Sequence, residues 1–212
     1  MMAELGGYKT PDGAGDAEFT EKRSVFIARV IPSESEDAAK AEIARVRAKY
    51  HDASHNCWCY IIRGGPERYS DDGEPQGTAG LPMLEVFRRG GILNVCCVVT
   101  RYFGGILLGP GGLSRAYSEG AKLALDRAGI AEFRLWERME ITCPYQHFGR
   151  VKSEIEGFGG IVRDTGYGET VVIHAMFAAG QAEPMNRRLA DISSGTVFGR
   201  VGGKEYAKGL SR

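Results

Sequence analysis

Residues 95–117 read VCCVVTRYFGGILLGPGGLSRAY, and the order of events inside them decides the architecture. Val95 to Thr100 is a continuous apolar, β-branched run, the pattern of a strand covered on both faces. Arg101 and Tyr102 lead into a loop carrying Gly104, Gly105, Gly109, Gly111 and Gly112, and the spacing predicts a helix from Leu113. Ala116, Tyr117, Gly120, Ala121, Ala124, Leu125 and Ala128 fall on one side of that helix. A side made mostly of small residues lets a helix lie close on a sheet, and Gly129 stops it.

Toward the N-terminus, Leu81, Leu84 and Phe87 or Arg88 predict a short helix ending at Gly90-Gly91. Residues 56–63, NCWCYIIR, read as a strand closed by Gly64-Gly65-Pro66, with a long loop beyond it. Ser33 and Glu36 have capping-box spacing, and Ala39, Ile43, Val46 and Tyr50 share one face, so a helix is expected over about 34–50. A first strand is expected near 19–31. Residues 1–17, rich in Gly, Asp and Ala, are expected to be a flexible N-terminus.

Beyond Gly129 a new pattern begins, placing a domain boundary near 130. Phe133, Leu135, Met139, Ile141 and Cys143 alternate as one face of a strand, and Phe148, Val151, Ile155 and Phe158 mark a helix. Segments 161–167 and 170–177 flank Gly168 as a hairpin, Pro184 opens a helix carrying Met185, Leu189 and Ile192, and 196–206 returns as a strand. The order βαββαβ is that of a ferredoxin-like sandwich. The expected fold class is α+β, with domains over 18–130 and 131–212.

The 212 residues are 43% hydrophobic and 25% charged, enough apolar material for real cores. Lys plus Arg and Asp plus Glu both total 27, so no global field draws the chain to DNA, RNA or an anionic membrane; any such contact needs a local patch. Five cysteines, Cys57, Cys59, Cys96, Cys97 and Cys143, lie mostly in apolar runs without a C-x-x-C pair and read as buried thiols. No 18-residue apolar stretch and no signal-peptide pattern occur, so a cytoplasmic location is expected.

Two segments offer chemistry. In YSDDGEPQGTAG (69–80), Asp71, Asp72 and Glu74 place three carboxylates within four residues beside Thr78. Such a cluster suits a hard cation, a basic partner or acid/base work, or else builds a turn through side-chain-to-backbone bonds. The glycine loop before Leu113 suits an anion at a helix start, with Arg101, Tyr102, Ser114, Arg115 and Tyr117 supplying polar groups, or serves only as a tight crossover. It lacks both GxxxxGK[ST] and GxGxxG. His51, His55, Cys57 and Cys59 fit no usual zinc spacing, so no metal or cofactor is expected; His55 and Asn56 read as polar groups at a loop mouth.

Together, His55-Asn56-Cys57, DDGEPxGTAG over 71–80 and VVTRYFGGIxLGxGGLxRAY over 98–117, preceded by Lys22-Arg23-Ser-x-Phe26-Ile-Ala28, resemble the signature of the YigZ/IMPACT family. The resemblance covers roughly 20–128 closely and the remainder more loosely. It implies a first domain like the second domain of ribosomal protein S5 and a second like domain V of elongation factor G, both folds used on ribosomes and RNA. Eukaryotic relatives regulate translation with an additional N-terminal domain, so that partnership is not carried over, and the family supplies no catalytic residues. Gln76 stands where relatives usually have Ser, and Leu107 where many have Lys, which removes a positive charge from the glycine loop. The expectation is a translation-associated binding protein whose polar face, built from 71–80 and 101–117, contacts the ribosome, RNA or a translation factor. The alternative is a phosphate- or nucleotide-binding enzyme using the same two segments.

Overall fold

The computed structural model describes residues 7–208. They divide into two compact units, Tyr8–Glu132 and the residues from Phe133 onward together with Gly7. Both are mixed α and β, and no helix among the described residues is long and apolar enough to cross a membrane.

The first unit runs β1 (Tyr8–Pro11), β2 (Gly15–Glu21), β3 (Ser24–Pro32), α1 (Glu36–Lys49), β4 (His55–Ile61), β5 (Glu67–Ser70), α2 (Gly80–Gly90), β6 (Val95–Tyr102) and α3 (Pro110–Ala128). Its sheet has the order β2-β3-β6-β4-β5, antiparallel throughout. Strand β6 is central, which is why it is apolar on both faces. One face packs Phe26, Cys59, Val99, Leu84, Tyr117 and Ala121 against α2 and α3; the other packs Tyr60, Cys96 and Val98 against Ala39, Ile43 and Val46 of α1. The small face of α3 does lie close: a Cβ on Gly120 would meet the Ala28 Cβ at 3.4 Å, and one on Gly15 the Ala124 carbonyl oxygen at 2.1 Å.

Four expectations are corrected here. The single strand at 19–31 is a hairpin, with Lys22 and Arg23 at φ 45° and 65° forming a two-residue turn that sequence rarely signals without Asn or Gly. Residues 8–17 are not loose: the Leu93 amide donates to the Lys9 carbonyl at 2.8 Å and Thr10 Oγ1 to the Asn94 carbonyl at 3.2 Å; residues 1–6 lie outside the described residues. Strand β5, placed in a loop by the sequence reading, is an exposed polar edge strand. The α1 cap is Ser35, which accepts from the Ala38 amide at 3.2 Å, because Ser33 is held at the sheet by its amide bond to the Asn94 carbonyl at 2.7 Å.

The second unit runs β7 (Ile130–Cys143), α4 (Tyr145–Gly157), β8 (Ile161–Tyr167), β9 (Val171–Ala178), α5 (Ala182–Ser193) and β10 (Phe198–Lys208). The antiparallel order β10-β7-β9-β8 is the 4-1-3-2 arrangement of a ferredoxin-like sheet. Met139, Ile141, Ile173 and Phe177 meet Val151, Ile155, Met185 and Leu189 in one core, the helices covering one face. Helix α5 starts two residues before Pro184. Glu137 Oε2 accepts from the Ala182 amide at 3.2 Å, and proline is tolerated in a first turn whose N–H groups have no partner. Strand β10 starts at Phe198 because Ser193 Oγ accepts from the Val197 amide at 2.9 Å and holds 193–197 as a turn.

Candidate functional site

The DDGEP loop follows edge strand β5 and must turn sharply into α2. Asp71 makes that turn. Its Oδ1 accepts from the Ala79 and Gly80 amides at 3.0 and 2.8 Å, and its Oδ2 from the Gly77 amide at 2.8 Å. The Ala79 and Gly80 amides are orphan donors at the start of α2, which has no other side-chain cap, and the Gly77 amide belongs to the loop before it. Asp72, at φ 45°, ties the loop to β4 and α1: its Oδ2 accepts from the Asn56 amide at 2.7 Å and its Oδ1 from Arg47. Thr78 Oγ1 donates to the Pro75 carbonyl at 2.6 Å. Asn56 Oδ1 accepts from Thr100 Oγ1 at 2.7 Å. Asp71, Asp72, Thr78 and Asn56 are therefore engaged in holding the loop, and the two aspartates have spent both oxygens on it.

Glu74 is different. Its side chain is 3% exposed, and its Oε1 accepts from Arg101 Nη1 at 2.6 Å and Tyr117 Oη at 2.7 Å. Arg101, at the end of β6, is itself buried between the rings of Phe26 and Phe103, its Cζ 5.6 and 5.4 Å from their centroids. Its Nη2 donates to Ser24 Oγ at 3.3 Å, while its buried Nε has no partner. Burial, then the neighbouring Cys57 and Glu74, push the Tyr117 phenol well above the ordinary tyrosine value. Tyr117 is thus a core residue and not part of an accessible face.

The glycine loop closes over this pair. A Cβ on Gly104 would lie 2.1 Å from the Arg23 carbonyl, so only glycine lets the loop pass the β2–β3 turn, where the Gly104 amide donates to Ser24 Oγ at 3.2 Å. Gly105 and Gly109, at φ 81° and 74°, turn the chain back into α3, which begins with Pro110 and no side-chain cap. The result is a cleft of about 360 Å³ with His55, Glu74 and Arg101 on one side and Phe103, Leu107 and the Gly109-Pro110 start of α3 on the other. His55 Nδ1 donates to the Asp72 carbonyl at 2.9 Å, and its Nε2 lies 3.9 Å from Glu74 Oε2. Phe103 and Leu107 stand on the lip, 48% and 81% exposed.

Of the residues singled out by sequence, His55, Glu74 and Arg101 meet in this cleft. Ser114, Arg115 and Gly112 line a separate hollow with Lys22, Phe19 and Lys122, and Tyr102 Oη donates to Asp52 Oδ1 at 2.7 Å. Gly111 lies in the first turn of α3 under Arg115, whose Nη1 would be 3.9 Å from a Cβ there. Arg101 pairs with Glu74 and Asp72 with Arg47, so the two do not pair with each other. Sequence reading missed Phe103, Ser24 and Arg47; Phe103 alone carried a signal, an aromatic between a strand end and two glycines. Among the described residues no group of three or more His, Cys, Asp or Glu is placed to hold a metal ion, and all five cysteines are buried and free.

A chain joining this glycine-loop domain to a ferredoxin-like sandwich defines a two-domain class. Residues 22–125 match the Impact N-terminal domain, and residues 141–196 match a domain of unknown function (DUF1949). The chain is 32% identical to IMPACT family member YvyE of Bacillus subtilis, covering 90% of this chain and 89% of that one. It is 33% identical to IMPACT family member YigZ of Escherichia coli over 83% and 88% of the two chains. It is 34% identical to Protein IMPACT of Rattus norvegicus, over 47% of this chain and 33% of the rat protein. A solved structure described as that of a hypothetical protein superposes with a TM-score of 0.59 at 30% identity, covering 92% of this chain and 97% of the other. The chain belongs to the IMPACT family.

Proposed function

We propose that this chain is a translation-associated binding protein that contacts RNA on the ribosome through the cleft between the DDGEP loop and the glycine loop. One observation carries the reading: Glu74 and Arg101, from those two segments, join in a buried pair that fixes a cleft with exposed Phe103 and Leu107 on its lip. A rigid recess with an aromatic and an aliphatic rim is the form of a surface that receives a splayed base. Membership of the IMPACT family and the resemblance of both domains to folds used on ribosomes support the setting. In the adjoining hollow Lys22, Arg115 and Lys122 stand against Glu21 and Glu119, a local excess of one positive charge in a chain whose totals balance.

The phosphoryl-transfer reading requires carboxylates free to hold a metal beside the glycine loop. Asp71 and Asp72 are turned away onto backbone amides and Arg47, which leaves Oε2 of Glu74 as the one carboxylate oxygen lining the cleft without a hydrogen bond among the described residues, and a single such oxygen is not the donor set that chemistry needs. Sedimentation of the protein with ribosomes and isolated subunits at low and physiological salt tests the proposal. Co-sedimentation that weakens with salt and with Phe103→Ala supports it; absence from every ribosomal fraction at low salt refutes it.

A further inference from the structure

The cleft holds two acceptors that the fold leaves facing each other. Glu74 Oε1 takes both of the carboxylate's donors, Arg101 and Tyr117, whereas Oε2 accepts no hydrogen bond among the described residues and lies 3.9 Å from His55 Nε2, too far for a direct hydrogen bond. A carbonyl only accepts, so His55 Nδ1, 2.9 Å from the Asp72 carbonyl, carries a hydrogen, and in its neutral form the imidazole presents a lone pair at Nε2. A carboxylate oxygen of the buried Glu74 and an imidazole nitrogen of His55 thus border one cleft, close enough together for one donor group to reach both.

Charge selects the donor. Glu74 is already balanced by Arg101, and the start of α3, the positive end of a 19-residue helix, borders the same cleft. The Arg115 guanidinium reaches back over that first turn and has no acidic partner among the described residues. An ammonium is therefore disfavoured, and a neutral NH₂ joined to an anion fits. Phe103, with Arg101 on one side of its ring, is half exposed and offers a flat surface between the two ends.

We infer that the cleft binds a nucleotide whose base carries an exocyclic amine, adenine, cytosine or guanine and not uracil. The amine bridges Glu74 Oε2 and His55 Nε2, the base lies on Phe103, and the phosphate meets the start of α3, over whose first turn Arg115 reaches from the neighbouring hollow. This rests on the RNA reading above and deepens it; a free nucleotide and an RNA strand share the chemistry.

The test is fluorescence anisotropy of the full chain with labelled ten-nucleotide strands of A, C and U, competed with AMP, CMP and UMP. A and C strands are expected to bind roughly tenfold or more tighter than U. Glu74→Gln keeps the shape and puts a donor where Oε2 accepts, so the order should invert toward U. If thermal melting shows that Glu74→Gln does not fold, His55→Ala serves and should bring the A-to-U ratio close to one. Competition by AMP as effective as that of the strand assigns a free nucleotide; competition by strands alone assigns RNA; either upholds amine recognition. Equal affinity for the three strands, an unchanged ratio in His55→Ala, or binding of a lysine-rich peptide without any nucleotide overturns it, while ribosome co-sedimentation would still stand or fall by itself.

Discussion

Arg101 donates to Glu74 at 2.6 Å across 27 residues of sequence, from a guanidinium held between Phe26 and Phe103. Breaking a buried pair strands a charge, so Arg101→Ala is expected to cost about 3–5 kcal/mol. Arg101→Met with Glu74→Leu should cost much less than the two single changes combined. Urea unfolding of the three variants measures this, and additivity would contradict the pairing.

Asp71 carries the N-terminus of α2 by accepting from the Ala79 and Gly80 amides, and holds the preceding loop by accepting from the Gly77 amide. Asp71→Ala should lower stability by about 2–3 kcal/mol and speed hydrogen exchange at Gly77, Ala79 and Gly80 ahead of the rest of the helix. Uniform exchange changes across the unit would show that the carboxylate has another role.

Two glycines of the same loop should respond oppositely. Gly104→Ala drives a Cβ into the Arg23 backbone and should destabilise by about 1–3 kcal/mol or more. At Gly111 only Arg115 Nη1, at 3.9 Å, comes near a Cβ, so Gly111→Ala in the first turn of α3 should be neutral or stabilising by about 0.5–1 kcal/mol. Thermal melting of both variants decides the point.

Burial raises the Tyr117 phenol above the ordinary value, so the folded chain keeps its proton where the unfolded chain loses it. That contribution is complete below about pH 10 and declines as pH climbs, by about 1.4 kcal/mol per unit. The urea midpoint should therefore fall above pH 10, and Tyr117→Phe should flatten that decline. An unchanged slope in the variant would remove Tyr117 as its source.

Much of this frame is legible in sequence because local rules act in it. The run from Val95, the glycines and the small-residue face of α3 specify a buried strand, a turn and a close-packed helix without long-range information. Period-2 and helical spacings likewise give the βαββαβ order of the second unit. The Lys22-Arg23 turn escaped because neither residue marks positive φ, and β5 because Glu67 to Ser70 is polar and exposed, with no alternation to read. The candidate site was legible as segments but not as partners. Asp71, Asp72 and Glu74 look equivalent in the chain, and only the sheet register that places His55 opposite Arg101 sends two of them into backbone bonds and the third into the cleft.

The central claim is that the cleft rim contacts the ribosome. The most direct measurement is the dissociation constant for ribosomes, at fixed salt, of the natural chain and of Phe103→Ala with Leu107→Glu, both exposed and outside the core. Weakening by tenfold or more, with melting temperature unchanged, is the expected result. Equal binding by the two proteins, or none by either, would contradict the account.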